Sequence, residues 1–159
     1  LLIDMKAELD RLYAHYLEEA RMLALGGLAA IVCLLAVTLR SPRRLLAVLT
    51  PLLLAVLIVS AGLYLAGVRL QLLHLIGLLL IVAVGSNYAL FFDRLGAQLK
   101  DEPQTLASLF VACLTTVIGF GTLSLSRVPV LQALGATVAP GALLALLFAA
   151  CLTPPARRP

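Results

Sequence analysis

Five long runs of apolar residues, separated by short polar gaps, dominate the chain. They cover about residues 22–39, 45–67, 70–92, 105–125 and 131–153. Each run is close to the roughly 20 residues that an α-helix needs to cross about 30 Å of hydrocarbon. Helices are favoured here because backbone amide and carbonyl groups in lipid must be satisfied within the segment. The pattern predicts an all-α membrane protein built as a bundle of five transmembrane helices.

A different pattern precedes the first run. Apolar side chains recur at helical spacing among acidic and basic ones, at Met5, Leu9, Leu12 and Tyr16. This periodicity predicts an amphipathic helix over residues 1–20, which lies against a partner or a membrane surface. The helix leads into the five-span bundle at residues 21–155, and residues 156–159 form a short tail.

Composition supports lipid as the main surroundings of the chain. Hydrophobic residues make up 62% of the sequence and charged residues 13%, whereas a soluble domain is about half apolar and about a quarter charged. The net charge of +4 does not indicate nucleic acid, because the basic residues lie in the gaps between apolar runs and form no stripe with aromatic residues. Membrane lipid is therefore the expected partner, and nucleic acid is excluded.

The basic residues are distributed unequally between the two sides of the predicted bundle. One side carries seven of them, namely Arg40, Arg43, Arg44, Arg94, Lys100, Arg157 and Arg158, and the loops of the other carry Arg69 and Arg127. Cytoplasmic loops of membrane proteins are enriched in Lys and Arg. The turn at residues 40–44, the segment 93–104 and the C-terminus are therefore predicted to be cytoplasmic, with the N-terminus outside.

The sequence offers little for catalysis or metal binding. Cys33, Cys113 and Cys151 each lie inside an apolar run, where they are expected to be small buried hydrophobic residues with free thiols. No spacing of Cys and His suggests a metal site, and no cofactor is expected. Because no Ser/His/Asp set or phosphate-binding glycine loop is present either, the chain is not predicted to be an enzyme.

The fourth apolar run contains a stripe of small and hydroxylated residues at helical spacing. Its members are Ser108, Ala112, Thr115, Gly119, Thr122 and Ser126. Such stripes let helix backbones approach closely, and their hydroxyl groups bond across the interface. For Ser108, Gly119 and Thr122, a role in helix packing is favoured over a functional role. Thr116 lies beside Thr115 and widens the polar surface.

The third run ends with further polar residues. Asn87 and Tyr88 lie side by side near its end, just before Asp93 and Arg94, which are expected to mark where the helix leaves the membrane. An amide in a span is compatible with simple interhelical hydrogen bonding. His74 lies at the start of the same run. It is interpreted as a polar residue at the membrane interface with its hydrogen bonds satisfied, in preference to a proton relay. Ser86 and His74 are secondary candidates for a polar site.

Two motifs resemble the resistance–nodulation–division (RND) exporters, in their MMPL branch. Residues 85–94, GSNYALFFDR, are similar to the family's G-x-D-Y-a-l-f-l-x-x-R segment. Residues 114–135, LTTVIGFGTLSLSRVPVLQALG, are similar to its TT-x-x-G-F-x-x-L-x-x-S-x-x-P-x-L-x-x-x-G segment, and LTPP at residues 152–155 is similar to its terminating prolines. Together with the basic turn, the resemblance covers nearly all of the chain.

The resemblance implies a part of a larger transporter in the bacterial inner membrane. Members have two homologous halves, and this chain resembles the five spans that close the C-terminal half. Residues 1–20 would then descend from an extracytoplasmic domain. In the family, the Asp of the Asp-Tyr pair takes up and releases protons, and polar residues matching Thr115 and Thr116 face that pair. Asn87 occupies the Asp position, so this half would keep the hydrogen-bonding scaffold without its own proton carrier.

Three hypotheses follow from the sequence. The first is the C-terminal transmembrane portion of a proton-motive-force-driven exporter of hydrophobic, lipid-like molecules, partnered by a missing N-terminal half or a second copy. The second is a five-span module that binds lipid and a partner without transporting, which the loss of the acid at Asn87 would fit. The third is a truncated remnant without function.

Overall fold

The computed structural model describes residues 2–68, 71–95 and 103–152, with the backbone alone for residues 2–10, 12–14, 17, 95 and 103. These residues form five helices and no strand: α1 (Leu2–Leu39), α2 (Pro42–Leu65), α3 (Leu72–Leu95), α4 (Pro103–Ser124) and α5 (Pro129–Leu152). Within the described part, each helix contains a stretch long and apolar enough to cross a membrane. The predicted all-α, five-span fold is confirmed, and it is the fold of a multi-pass membrane protein.

The first helix differs from the prediction in one respect. The expected amphipathic helix and the first span form a single continuous helix of 38 residues, and its membrane-spanning part is Glu18–Leu39. Continuity is physically reasonable because no proline separates the two parts. The side chains of Arg11, His15 and Tyr16 are exposed. All other side chains of residues 1–17 lie outside the described set, as do most of the segment 93–104 and the whole tail at 156–159.

Prolines define where several helices begin. Pro42, Pro103 and Pro129 are the first residues of α2, α4 and α5. Proline suits this position because its missing N–H would have no intrahelical acceptor and its φ is already helical. The turn between α1 and α2 is short because Arg40 adopts a left-handed conformation, with φ of 49°. The chain therefore reverses direction within a few residues, and three arginines are gathered in one tight turn.

Close approaches show that α3 and α5 run parallel and in register. Three glycines along the two helices leave no room for a Cβ, because an added Cβ would meet the other helix. On α3, Gly77 faces Thr137 and Gly85 faces Ala145, and on α5, Gly141 faces Ile81. Successive pairs are four residues apart on both helices, which is one turn of each. Small residues at these levels allow the backbones to pack closely, as is typical of helices in membranes.

The remaining contacts set the directions of the other helices. Arg44 pairs with Asp93 across α2 and α3, and a Cβ on Gly85 would meet Leu52, so α2 and α3 are antiparallel. A Cβ on Gly135 would meet the backbone of the last turns of α4, so α4 and α5 form an antiparallel hairpin. We call the end of the bundle that holds the 40–44 turn, the starts of α2 and α4 and the ends of α3 and α5 the arginine-turn end.

The centre of the bundle is α5, which packs against α2, α3 and α4, while α1 lies at the edge against α2 and α3. The buried residues of α5 are mostly small: Ala133, Gly135, Thr137, Val138, Ala139, Gly141, Ala142, Ala145 and Ala149. A helix with so little side-chain volume can be surrounded on several sides. The arrangement leaves α3 and α4 side by side on α5, with the predicted polar residues at or near their junction.

Candidate functional site

Tyr88 is the buried centre of the predicted polar site. Its side chain is 6% exposed and lies beside the Cys113 and Thr116 side chains of α4. The Cys113 thiol donates to the Ala142 carbonyl oxygen of α5 at a sulfur–oxygen distance of 3.8 Å. A phenol, a thiol and a hydroxyl group therefore meet where α3, α4 and α5 converge. The structure brings residues of both sequence motifs to this one point.

Asn87 occupies a different position from its neighbour. Its side chain is exposed, and it forms no side-chain hydrogen bond within the described part of the chain. Successive residues of a helix are about 100° apart around the axis, so burial of Tyr88 at the α3–α4 junction leaves Asn87 facing outward. The Asn87 amide therefore points away from this bundle.

The two threonines are separated in the same way. Thr116 is partly buried and is the threonine near Tyr88, and its hydroxyl donates to a backbone carbonyl oxygen of its own helix at 3.0 Å. Thr115 is exposed, and its hydroxyl donates to the Val111 carbonyl oxygen of its own helix at 2.9 Å. Asn87 and Thr115 are the residues that directly precede Tyr88 and Thr116. Because α3 and α4 run in opposite directions, a step of one residue toward the N-terminus turns the side chain toward the same side of the junction on both helices. Asn87 and Thr115 thus lie on one side of it.

The other stripe residues that lie within α4 are also exposed, whereas Ser126 follows the helix and is partly buried. We call Ser108, Ala112, Thr115, Gly119 and Thr122, all of which are exposed, the small face of α4. The hydroxyl groups of Ser108 and Thr122 donate to backbone carbonyl oxygens three residues earlier, at 2.8 and 2.7 Å. A Cβ added to Gly119 would meet nothing within 4 Å. No described helix covers this face, so the expected helix packing along it stays a prediction.

The exposed surface of α4 has a second sector with opposite character. Its residues are bulky and apolar: Phe110, Val111, Leu114 and Ile118. Bulky apolar side chains are suited to contact with lipid, whereas small residues are enriched where membrane helices pack together. The outside of α4 is therefore divided between a lipid-like sector and the small face.

Asp93 forms a buried ion pair that the sequence alone did not reveal. It was expected to mark where the helix leaves the membrane, but its side chain is 3% exposed and pairs with Arg44. The Arg44 Nε donates to Oδ1 at 3.2 Å and Nη2 donates to Oδ2 at 2.6 Å, which is a bidentate geometry. The pair joins the start of α2 to the end of α3. The sequence contains an indication of this ion pair, because three arginines lie in one turn and one acid lies at the end of a nearby span.

The secondary candidates do not join the Tyr88 site. The His74 side chain is 5% exposed, and its Nδ1 accepts the Gln71 backbone N–H at 3.2 Å, so it caps the first turn of α3. It is 14 residues from Tyr88 along the same helix, or about 21 Å. Ser86 is buried, and its hydroxyl donates to the Ala83 carbonyl oxygen at 2.8 Å.

The cysteines are free thiols in two environments. Cys113 is buried, as expected, but Cys33 and Cys151 are exposed, so the expectation of burial is wrong for these two. A run that is apolar all round gives no indication of which residues face inward. No group of three or more His, Cys, Asp or Glu side chains that could hold a metal lies together among the residues the structure describes.

Comparisons with protein-family models, curated proteins and solved structures found no match to this chain. The resemblance to exporters therefore rests on the two sequence motifs alone. The site itself consists of the neutral side chains of Tyr88, Cys113 and Thr116. Such groups can form and exchange hydrogen bonds, but none of them is an acid that would exchange a proton near neutral pH.

Proposed function

We propose that this chain is the C-terminal transmembrane portion of a proton-motive-force-driven exporter of hydrophobic, lipid-like molecules. The observation that carries the proposal is the contact between Tyr88 and Thr116. These residues belong to two motifs that are separated in sequence and both resemble exporter motifs. A shared role in one polar site gives a reason for the two motifs to occur together.

In this proposal, the chain supplies a hydrogen-bonding scaffold and another segment supplies the proton-carrying acid. An amide at Asn87 cannot titrate, whereas an acid within a span would be a functional candidate by default. Asn87 faces outward on the same side as Thr115 and the rest of the small face of α4. An exposed amide is unfavourable in lipid, so a covering protein segment is favoured there. That segment is the N-terminal half of the same protein or a second copy of this chain.

The transport function is tested in the full-length protein reconstituted into liposomes that contain a pH-sensitive dye. Tyr88→Phe and Thr116→Val remove hydrogen-bonding groups with little change in shape, and both are expected to reduce substrate-dependent proton flux and export. Thr50→Val is a matched control, because the Thr50 hydroxyl bonds to its own helix, as the Thr116 hydroxyl does, but Thr50 is exposed and lies on α2. Unchanged flux and export in both site variants would show that Tyr88 and Thr116 do not act in transport.

The covering segment is tested with two exposed glycines. A Cβ on Gly119 or on Gly62 would meet nothing within 4 Å, so neither substitution should disturb this bundle. Gly119 lies on the small face, whereas Gly62 is beside the exposed Ile58 and Leu65. Gly119→Leu is expected to weaken association with the covering segment, measured by crosslinking in membranes, and Gly62→Leu is not. Equal behaviour of the two variants would argue that lipid covers the small face.

A second candidate function is a lipid-binding or partner-binding module that does not transport. The Asn87 side chain, which faces outward and is an amide in place of an acid, favours this module. A transporter half that no longer couples proton movement to transport could lose its acid. Asn87→Asp separates the two candidates. The change is expected to alter proton-linked transport in an exporter, whereas in a module that only binds it would affect stability alone.

A further inference from the structure

A cleft of about 420 Å³ lies between α3, α4 and α5, on the other side of Tyr88 from the small face. One wall is α4, which contributes Leu106, Leu109, Phe110, Cys113 and Leu114, and the other is α5. Phe92 and Cys113, which are 8% and 2% exposed, form the floor. We call this space the α3–α4–α5 cleft.

The cleft opens toward the outside of the bundle, where lipid is expected. Its rim includes Phe110 and Leu114 of α4 and Leu143 and Leu147 of α5, all of which are exposed. Phe110 and Leu114 belong to the bulky sector of α4, which is suited to lipid. An occupant could therefore enter sideways from the bilayer without moving any helix.

The chemistry of the lining selects an apolar occupant. Cys113 supplies the one heteroatom among the lining side chains, and its thiol is already directed at the Ala142 carbonyl oxygen. A water molecule needs about two to four polar partners to be held in a buried site, and this lining does not supply them. A polar headgroup would be equally unsatisfied. The occupant is therefore hydrocarbon.

The position and length of the cleft fit one acyl chain. Its lining begins near the arginine-turn end, at Phe92, Leu106 and Ala150, and reaches inward to Leu114 and Leu143. From Leu106 to Leu114 the helix rises about 12 Å, which is within one leaflet's share of a hydrocarbon core about 30 Å thick. A chain that enters from the headgroup region and lies along α4 would fill this length.

The alternative occupant, a protein helix, fits the cleft less well. Helix interfaces in membranes are enriched in small residues, and on α4 those residues form the small face instead. The cleft is lined mainly by leucine and phenylalanine, with a gap between them. A flexible chain follows such a surface more readily than a rigid helix does.

We propose that the α3–α4–α5 cleft is a binding site for one acyl chain of a membrane phospholipid from the leaflet at the arginine-turn end. The proposal does not depend on transport and holds for either candidate function. Because Cys113 lies in the floor of the cleft and also contacts Tyr88, the bound chain lies one side chain away from the polar site.

The test is photolabelling of the full-length protein in nanodiscs that contain a trace of phosphatidylcholine with a diazirine in its acyl chain. Labelled residues are identified by mass spectrometry. Labelling of the cleft lining is expected to exceed labelling of Val37 and Leu46, which are exposed residues close to the same end of the bundle. Equal labelling would mean ordinary contact with bulk lipid and would overturn the proposal.

Blocking variants make the test specific. Ala150→Trp and Leu147→Trp place a large ring at the mouth of the cleft, at exposed positions that should tolerate it. Ala107→Trp is the control, since Ala107 is exposed near the same end but does not line the cleft. The excess labelling is expected to disappear in both blocking variants and to persist in the control. Its persistence in all three, or crosslinking of the cleft to another protein segment, would overturn the proposal.

Discussion

Loss of Arg44 and loss of Asp93 should have very different effects on the free energy of unfolding, although the two residues form one ion pair. The Asp93 side chain is 3% exposed, whereas that of Arg44 is 43% exposed. Arg44→Ala leaves a carboxylate without its bidentate partner in a site that water hardly reaches. Asp93→Ala leaves a long, flexible cation that can turn its guanidinium toward water. The structure thus predicts an asymmetry within a single ion pair.

The magnitudes follow from the burial of the group that is left behind. Removing one partner of a buried pair costs about 3–5 kcal/mol, because an uncompensated charge stays buried. Arg44→Ala is expected to fall in this range. Asp93→Ala is expected to cost about 1 kcal/mol, which is typical of a partly exposed pair. The double variant should be more stable than Arg44→Ala alone, because it no longer contains a buried unpaired carboxylate.

The assay is reversible unfolding of the full-length protein in mixed micelles with increasing fractions of sodium dodecyl sulfate. It gives a free energy of unfolding for each variant under the same conditions. Arg43→Ala is the matched control, since Arg43 is an exposed neighbour without an ion pair in the described part of the chain. The reasoning would be refuted if Asp93→Ala cost as much as Arg44→Ala, or if the double variant were the least stable of the three.

Three further predictions concern packing, the polar site and the cap of α3, and the same unfolding measurement checks each. Gly135→Ala is expected to cost about 1–3 kcal/mol, because the new Cβ would overlap with the rigid backbone of α4. Tyr88→Phe and Thr116→Val in a double-mutant cycle should give a coupling free energy near the average of about 0.6 kcal/mol for hydrogen bonds between membrane helices. His74→Ala should cost about 1 kcal/mol, because an N-terminal backbone N–H of α3 loses its acceptor.

Each of these predictions has an outcome that contradicts it. Gly121 is the control for packing, because a Cβ there meets nothing within 4 Å, and equal effects of alanine at Gly121 and Gly135 would refute the backbone overlap. A coupling free energy of zero would show that Tyr88 and Thr116 act independently. Glutamine keeps a hydrogen-bond acceptor at this position. If His74→Gln were as unstable as His74→Ala, the packing of the ring, and not its acceptor nitrogen, would account for the stability.

The sequence determined the number and approximate limits of the helices. Lipid requires every spanning segment to satisfy its own backbone hydrogen bonds, so length and hydropathy are sufficient to find the spans. The predicted limits of the last four differ from the observed ones by three residues or fewer, as for 45–67 against Pro42–Leu65. The difference arises because Pro42 begins α2 and carries Arg43 and Arg44 into its first turn. The third span extends past its expected end because the charge of Asp93 is compensated by Arg44.

Tertiary structure alone decided which way the side chains point. The spans are apolar nearly all round, so they lack the amphipathic pattern that shows the buried face of a helix in a soluble protein. Tyr88 and Asn87 are neighbours in a similar sequence context, yet the first is buried and the second is exposed. Likewise, Thr116 faces Tyr88 whereas Thr115 faces outward. The sequence assigned these polar residues to two spans, but the packing of α3 and α4 on α5 determined which of them meet, because only contact between helices distinguishes their faces.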